Sequence, residues 1–347
     1  MVMSFYDTLK RYTEMPGPVG HEARVQRAFM EDLKPYTDEI QLTNVGNVLA
    51  HLGGEGRKVV VFGHADEICW FVLSVTGDGF LRVSRANGRN EKVSFPYCVV
   101  GQKALVVGDL GDVRGVFVAA SGHVLHTKER EKPLESWDVL VDVGASSREE
   151  VEERGIHVGS PIIWNPETER MGRKVFGKAM DDRFTYPVML ELAERLRDEE
   201  TSCDLYLAST VMEEFGLKGA QALARHGFDV SLALDIGLAG DYPTLPEGRM
   251  PISLGKGPVI VYKDGSIHYN LEVIRELRAT AEANGIPYQH GIFERYGSDS
   301  VAMIAGGTRP NLIAPPCRYS HMPNEMMHLD DLENTVELLY RYVTGRR

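Results

Sequence analysis

Five apolar or glycine-rich stretches of this chain each lead into a residue that can hold a metal ion. His64 follows Val59-Val60-Val61-Phe62-Gly63, and Asp181 and Asp182 follow Gly177-Lys178-Ala179-Met180. Glu213 and Glu214 follow the run 205–211, Asp235 follows 230–234, and His321 comes after 311–315. In an open α/β sheet, ligands and chemistry collect outside the carboxyl ends of the strands. A set of ligating side chains that repeatedly occupies that position reads as one site assembled from distant segments. Imidazoles and carboxylates together make a nitrogen–oxygen site, which suits zinc, cobalt or manganese rather than a thiolate-held metal.

Hydrophobic periodicity organises the rest. It predicts helices over 3–14 and 21–35, separated by a turn at Pro16-Gly17-Pro18-Val19-Gly20. Strand-like runs follow at 40–52 and 58–63. The texture then changes. Between 70 and 164 lie short β-type runs at 70–75, 80–83, 98–100, 104–107, 116–119 and 139–143, punctuated by turns such as Thr76-Gly77-Asp78-Gly79. Helical periodicity there is confined to 147–154, so the segment reads as a small all-β module. Gly111-Asp112-Val113-Arg114-Gly115 reads as a turn within it and not as a phosphate loop, because no helix follows. The acidic stretch 147–153 reads as a solvated or assembly face. Beyond 164 the α/β alternation returns, with helices expected at 182–199, 217–226, 269–284 and 330–344 and strands at 204–211, 230–235 and 258–262. The expected fold is therefore α/β, a helix-covered mixed sheet, with an inserted small all-β domain. The domains are expected at 1–69 with 165–347, and at 70–164.

Length and composition bound the function. The chain has 347 residues, enough for about two domains, and its 43% hydrophobic content supports a large core. A net charge of −12 argues against a nucleic-acid partner, which would call for a basic patch. Cys69, Cys98, Cys203 and Cys317 lie far apart with no C-x-x-C spacing. The first residues lack a basic stretch followed by an apolar one, and no apolar run approaches the roughly 18 residues of a membrane span. A reducing cytoplasm is the expected compartment, with no membrane partner.

The individual candidates differ in what they can do. In His64-Ala65-Asp66 a carboxylate two residues on can accept the second ring N–H of a metal-bound histidine, fixing its tautomer. Asp181 is the candidate bridge between two metals, because a carboxylate has two oxygens to offer. Asp182 is then left to helix capping or to support of the ligands. Of Glu213 and Glu214, one can bind metal while its neighbour acts as a base. Asp235 ends an apolar run on a charge, and His321 supplies a second imidazole.

Together these segments resemble the tetrahedral (TET) metallo-aminopeptidase family, which includes glutamyl and deblocking aminopeptidases. The matching stretches are Pro16-Gly17-Pro18-Val19-Gly20-His21-Glu22, Gly63-His64-Ala65-Asp66-Glu67, Gly177-Lys178-Ala179-Met180-Asp181-Asp182-Arg183, Met212-Glu213-Glu214-Phe215-Gly216, Ala233-Leu234-Asp235 with Ala239-Gly240-Asp241, and Tyr319-Ser320-His321. Each is weak alone; six in family order over nearly the whole chain are specific. The resemblance implies two divalent ions per subunit, zinc first, with cobalt or manganese also suited. His64, Asp181 and Asp235 would hold one, and Asp181, Glu214 and His321 the other, around a bridging water. It implies Glu213 as general base and Asp66 as the residue that orients His64. It also implies a zinc-peptidase-type domain whose β insertion serves dimerisation, with dimers assembled into a tetrahedral dodecamer.

The expected activity is metal-dependent removal of N-terminal residues from short peptides with a free N-terminus. The alternatives are a metallo-deacylase of small N-acyl amino acids and, less favoured, a glycosidase or a non-catalytic assembly protein. A glycosidase would leave His64 and His321 unexplained. Three places depart from the family pattern: Cys69 where a glycine is usual, Met322-Pro323-Asn324 after His321, and Gly297-Ser298-Asp299-Ser300 near the substrate. They bear on pocket shape and substrate preference and remove no ligand.

Overall fold

Val59-Val60-Val61-Phe62 is an unbroken apolar run, the pattern of a strand covered on both faces, and it lies at the heart of the main sheet. The structure is a computed structural model and describes residues 3–85, 98–132, 134–246 and 248–346. Two compact units emerge, one formed by 1–66 with 168–347 and the other by 67–167.

In chain order the first unit begins with strands β1 (Ile40–Leu42), β2 (Val48–Gly53) and β3 (Lys58–His64). The run expected as one strand over 40–52 is two, because Thr43–Asn47 closes a tight turn through the Asn47 N–H to Thr43 Oγ1 and the Thr43 N–H to the Asn47 carbonyl. The second unit supplies β4 (Trp70–Val75), β5 (Leu81–Arg85), β6 (Lys103–Gly108), β7 (Gly111–Val118), β8 (Leu140–Asp142) and β9 (Pro161–Trp164). The chain then returns to the first unit with β10 (Glu169–Met171), β11 (Lys174–Gly177), β12 (Asp204–Thr210), β13 (Val230–Leu234), β14 (Gly237–Leu238), β15 (Val259–Lys263), β16 (Gln289–Ile292), β17 (Arg309–Ala314), β18 (Pro316–Arg318) and β19 (Glu325–His328).

Among the described residues the main sheet runs β1-β2-β12-β3-β13-β17-β15-β16. Its centre is parallel: β12, β3, β13 and β17 all point the same way. Their carboxyl ends therefore open on one side, and those ends lead to Glu213, His64, Asp235 and His321. Helices cover the sheet. The helix Leu329–Thr344 turns Leu332, Val336, Leu339 and Val343 inward at helical spacing, each such side chain adding roughly 1.5–3 kcal/mol when fully buried. Asn270 caps the helix Leu271–Asn284 by accepting the N–H groups of Glu272 and Val273, and Gly285 ends it in the left-handed region (φ 63°). A smaller sheet, β10-β11-β19-β18-β14, was not foreseen from the sequence. Its strands are two to four residues long, too short for a readable alternation.

The second unit is a closed barrel in the order β4-β5-β8-β7-β6-β9. Closure leaves no free sheet edge. Trp70 packs edge-on against Phe117 and Trp164, with centroids 5.0 and 4.8 Å away. Two segments differ from their expected structure. Cys98 and Val99 lie in a helical turn rather than a strand, and Gly111–Gly115 is the start of β7 rather than a turn. All four cysteines are buried, and none forms a disulfide. No helix among the described residues is long and apolar enough to cross a membrane.

Candidate active site

His64 is the last residue of β3, and only 2% of it is exposed. Its ring is fixed from both sides. Nε2 lies 3.1 Å from Asp181 Oδ1, and Nδ1 lies 3.2 Å from the Asp66 carbonyl and 3.5 Å from Asp66 Oδ1. The other oxygen of Asp181, Oδ2, lies 3.3 Å from His321 Nε2, which is also 3.3 Å from Glu214 Oε1. Asp181 thus offers one oxygen to each imidazole. The structure brings together His64, Asp181 and Asp235 as one group, and Asp181, Glu214 and His321 as another, with ligating atoms within 4.8 Å in each. His64, Glu213 and Glu214 form a third overlapping group.

The residues around the site fix the backbone that carries it, and most were assigned no such role from sequence. Asp66 accepts the N–H groups of both Glu213 (3.0 Å) and Glu214 (2.9 Å). Glu325 accepts those of Asp181 (3.0 Å) and His321 (2.7 Å). Asp182 accepts the N–H of His64 at 3.0 Å. Its side chain caps no helix, because the short helical segment Met180–Arg183 that contains it has Ala179 at its N-cap and the helix Thr185–Arg195 has Phe184, neither with a side-chain cap. Glu22 accepts the N–H of Met212. Arg183, fully buried, donates to the carbonyls of Tyr12, Met15 and Gly17, tying the turn at Pro16–Gly20 to the segment that carries Asp181. Gly17 is required there, since a Cβ would sit 2.3 Å from Arg183 Nη2 and 2.8 Å from Val25. Met212 (φ 54°) and His321 (φ 60°) occupy the left-handed region although neither is glycine. Backbone of this kind persists only where its surroundings over-determine it, and it collects at functional sites. Glu22 and Glu325 supply two of those constraints.

The electrostatics are those of a crowded acid cluster. Burial, together with Asp181, pushes the Asp235 carboxyl well above its ordinary range. Burial, reinforced by Glu214 and Asp235, does the same to Glu213, although His64 opposes it. Burial also works against ionisation of Asp181, but the hydrogen bonds from His321 and His64 outweigh it and hold its pKa low. Without cations the cluster must therefore keep some carboxylates protonated. Divalent ions would take the place of those protons.

The donor set fits such ions. Ligands 2.0–2.2 Å from zinc and spread at a tetrahedral angle lie about 3.3–3.6 Å apart. The imidazole–carboxylate separations of 3.1 and 3.3 Å are close to that edge. Glu214 Oε1 is buried, and its 3.3 Å approach to His321 Nε2 is not a formed hydrogen bond, which leaves the oxygen open to a metal. Asp181, Glu213, Glu214 and Asp235 also line a cavity of about 270 Å³, open to Arg295 and Tyr296. Sequence reasoning assigned no role to Arg295 or Glu325. Arg295 follows a short edge strand, and Glu325 follows Pro323-Asn324, which reads as loop.

Comparison with known proteins agrees with this geometry. Residues 46–338 match the model of the M42 glutamyl aminopeptidase family. The lysyl aminopeptidase of Pyrococcus furiosus is 32% identical over 341 residues, spanning 96% of this chain and 95% of that protein. The TET aminopeptidase from a marine-sediment Thaumarchaeota archaeon superposes with a TM-score of 0.93 at 30% identity, covering 99% of this chain and 96% of that one. The Pyrococcus horikoshii TET1 peptidase, described as able to assemble into a tetrahedron or a large octahedral shell, gives a TM-score of 0.87 at 29% identity over 98% of this chain and 99% of that one. With a family match over most of its length and relatives of this similarity along nearly all of it, the chain belongs to the M42 glutamyl aminopeptidase family of hydrolases.

Proposed function

We propose that the protein is a dinuclear metallo-aminopeptidase that removes N-terminal residues from short peptides bearing a free amine. Family membership implies divalent metal ions. His64, Asp181 and Asp235 would hold one, and Asp181, Glu214 and His321 the other; zinc, cobalt and manganese all suit these donors. The observation that carries the reading is the Asp181 carboxylate, with Oδ1 turned to His64 and Oδ2 to His321.

Bound there, a pair of divalent ions supplies Lewis acidity, acidifying a water and polarising the scissile carbonyl. The chain's own residues do the rest. Glu213 takes the proton from the attacking water on a carboxylate oxygen and returns it to the nitrogen of the leaving amine. Asp66 holds the Glu213 and Glu214 backbones through their N–H groups, so that base and ligand keep a fixed relation. Asp66 and Asp181 between them fix the ring of His64. The acidic cavity lining favours a substrate that brings a positively charged α-amine, which selects peptide ends over internal bonds.

The compartment we propose is the cytoplasm, supported by four buried cysteines that form no disulfide. The proposed assembly is a homo-oligomer, with the β-barrel unit mediating dimers and dimers building a tetrahedral dodecamer. Its support is the tetrahedral assembly described for the Pyrococcus horikoshii relative.

The test is cleavage of aminoacyl-nitroanilides, free and N-acetylated, after chelator treatment and again after adding zinc or cobalt. Metal-restored cleavage of the free-amine substrates alone supports the reading. Equal cleavage of acetylated substrates replaces it with a metallo-deacylase, and activity untouched by chelation removes the metal mechanism.

A further inference from the structure

Arg295 follows β16 in the loop that leads to Gly297-Ser298-Asp299, and it lines the same cavity as Asp181, Glu213, Glu214 and Asp235. It is the only arginine or lysine among the described lining residues. Its neighbour Tyr296 keeps a buried phenol near the Asp235 carboxyl. Arg295 differs. Its side chain is exposed, and no carboxylate among the described residues pairs with it, although four line the cavity it faces. Surface arginines elsewhere in the chain do find acids: Arg173 pairs with Asp330 and Glu333, Arg195 with Glu337, and Arg341 with Glu337. A guanidinium that lines an acid-rich cavity and pairs with none of its acids is available to a ligand.

From this placement we infer that Arg295 is a specificity-determining residue that receives a carboxylate of the peptide substrate. The inference rests on the aminopeptidase reading above. The guanidinium fork matches a carboxylate with two parallel N–H···O bonds, and such charge-assisted pairs are stronger than neutral ones. In that reading the acids of the cavity serve the metals and the α-amine, so a negatively charged substrate group is best placed beside Arg295. The cavity, at about 270 Å³, lies just below the roughly 300–1,000 Å³ of sites for drug-sized ligands, a size for one or two amino-acid residues. The carboxylate must therefore lie close to the scissile bond. Two sources satisfy that: the side chain of an N-terminal Asp or Glu, and the C-terminus of a dipeptide.

The experiment compares the metal-loaded wild type with Arg295→Ala and Arg295→Glu. One arm measures kcat/KM for glutamyl- against leucyl-nitroanilide, with calorimetric affinities for L-glutamate against L-leucine. The other measures kcat/KM for leucyl-glycine against leucyl-glycinamide. Loss of the charge should lower one of these carboxylate preferences by about ten-fold or more, chiefly through KM, and Arg295→Glu should lower it further. A fall confined to the glutamyl arm identifies an acidic N-terminal side chain, and a fall confined to the dipeptide arm identifies the peptide C-terminus. Ratios within two-fold of wild type in both arms, with leucyl-nitroanilide still cleaved, overturn the role of Arg295 and leave the aminopeptidase standing. A wild type that cleaves no free-amine substrate and binds L-glutamate no better than L-leucine overturns both.

Discussion

Glu22 Oε1 accepts the backbone N–H of Met212 at 3.1 Å, joining positions 190 residues apart. The same oxygen accepts the N–H of Gly20 at 2.7 Å. Met212 sits in the left-handed region immediately before Glu213. One buried carboxylate therefore holds the turn that carries the proposed base. In Glu22→Ala the Met212 N–H loses its partner, at a cost of about 1–3 kcal/mol. The expected outcome is a lower Tm in a thermal melt and a fall in kcat that exceeds any rise in KM, because the chemical step and not substrate binding depends on Glu213.

Glu325 has the corresponding role for two candidate ligands, through Oε2 to the Asp181 N–H and Oε1 to the His321 N–H. Glu325→Gln keeps the size but turns an amide donor toward one of those N–H groups. Metal affinity should fall about 10- to 100-fold, the scale for partners that orient ligands. A competition titration against a zinc chelator measures it. Affinity equal to wild type would show that Asp181 and His321 hold their places without Glu325.

Gly63 lies one residue before His64, and a Cβ there would meet Thr185 Cγ2 at 2.4 Å and Asp182 Oδ2 at 2.5 Å. Gly63→Ala must displace β3 or the Asp182 carboxylate that holds the His64 N–H. We expect a destabilisation of about 1–3 kcal/mol from overpacking, with weakened metal binding although no ligand has been changed. Denaturant melts and the same zinc titration check it.

How much of this was legible in the sequence depends on what each residue had to announce itself. His64 and Asp235 are preceded by apolar runs that read as buried strands, and the structure makes His64 the last residue of β3 and Asp235 the residue immediately after β13, both in the parallel centre of the sheet. The α/β alternation was readable for the same reason. Glu325 gave no signal, because β19 spans four residues after a proline and its importance lies in which backbone N–H groups it meets. Cys98-Val99-Val100 was misread because a short apolar run has no periodicity to separate strand from helical turn. Asp182 reads from spacing either as a helix cap or as support of the ligands; the helix Thr185–Arg195 has Phe184 at its N-cap with no side-chain cap, and the Asp182 carboxylate accepts the His64 N–H.

His51 lies between Glu39 and Asp204, with Nδ1 3.0 Å from Glu39 Oε2 and Nε2 2.6 Å from Asp204 Oδ1. Burial works to lower its pKa, but the two carboxylates outweigh it and raise the pKa above 6.5. A histidine pKa raised by folding stabilises the folded state fully below the unfolded value, and the contribution disappears as pH rises through the folded value. The urea midpoints of wild type and His51→Gln should therefore differ most below about pH 6 and converge in alkali. The pair is partly exposed, so the difference should stay within about 1 kcal/mol. A gap that widens with pH would contradict the sign.

In the proposed mechanism Asp181 is shared by two metal ions. Counting bound zinc per subunit by elemental mass spectrometry, after dialysis of wild type, Asp181→Asn and Asp235→Asn against the same free zinc concentration, tests it most directly. Two ions in the wild type, near-complete loss of both in Asp181→Asn, and retention of one in Asp235→Asn are the expected counts. A single ion in the wild type, or a second ion that survives Asp181→Asn, would contradict a shared carboxylate.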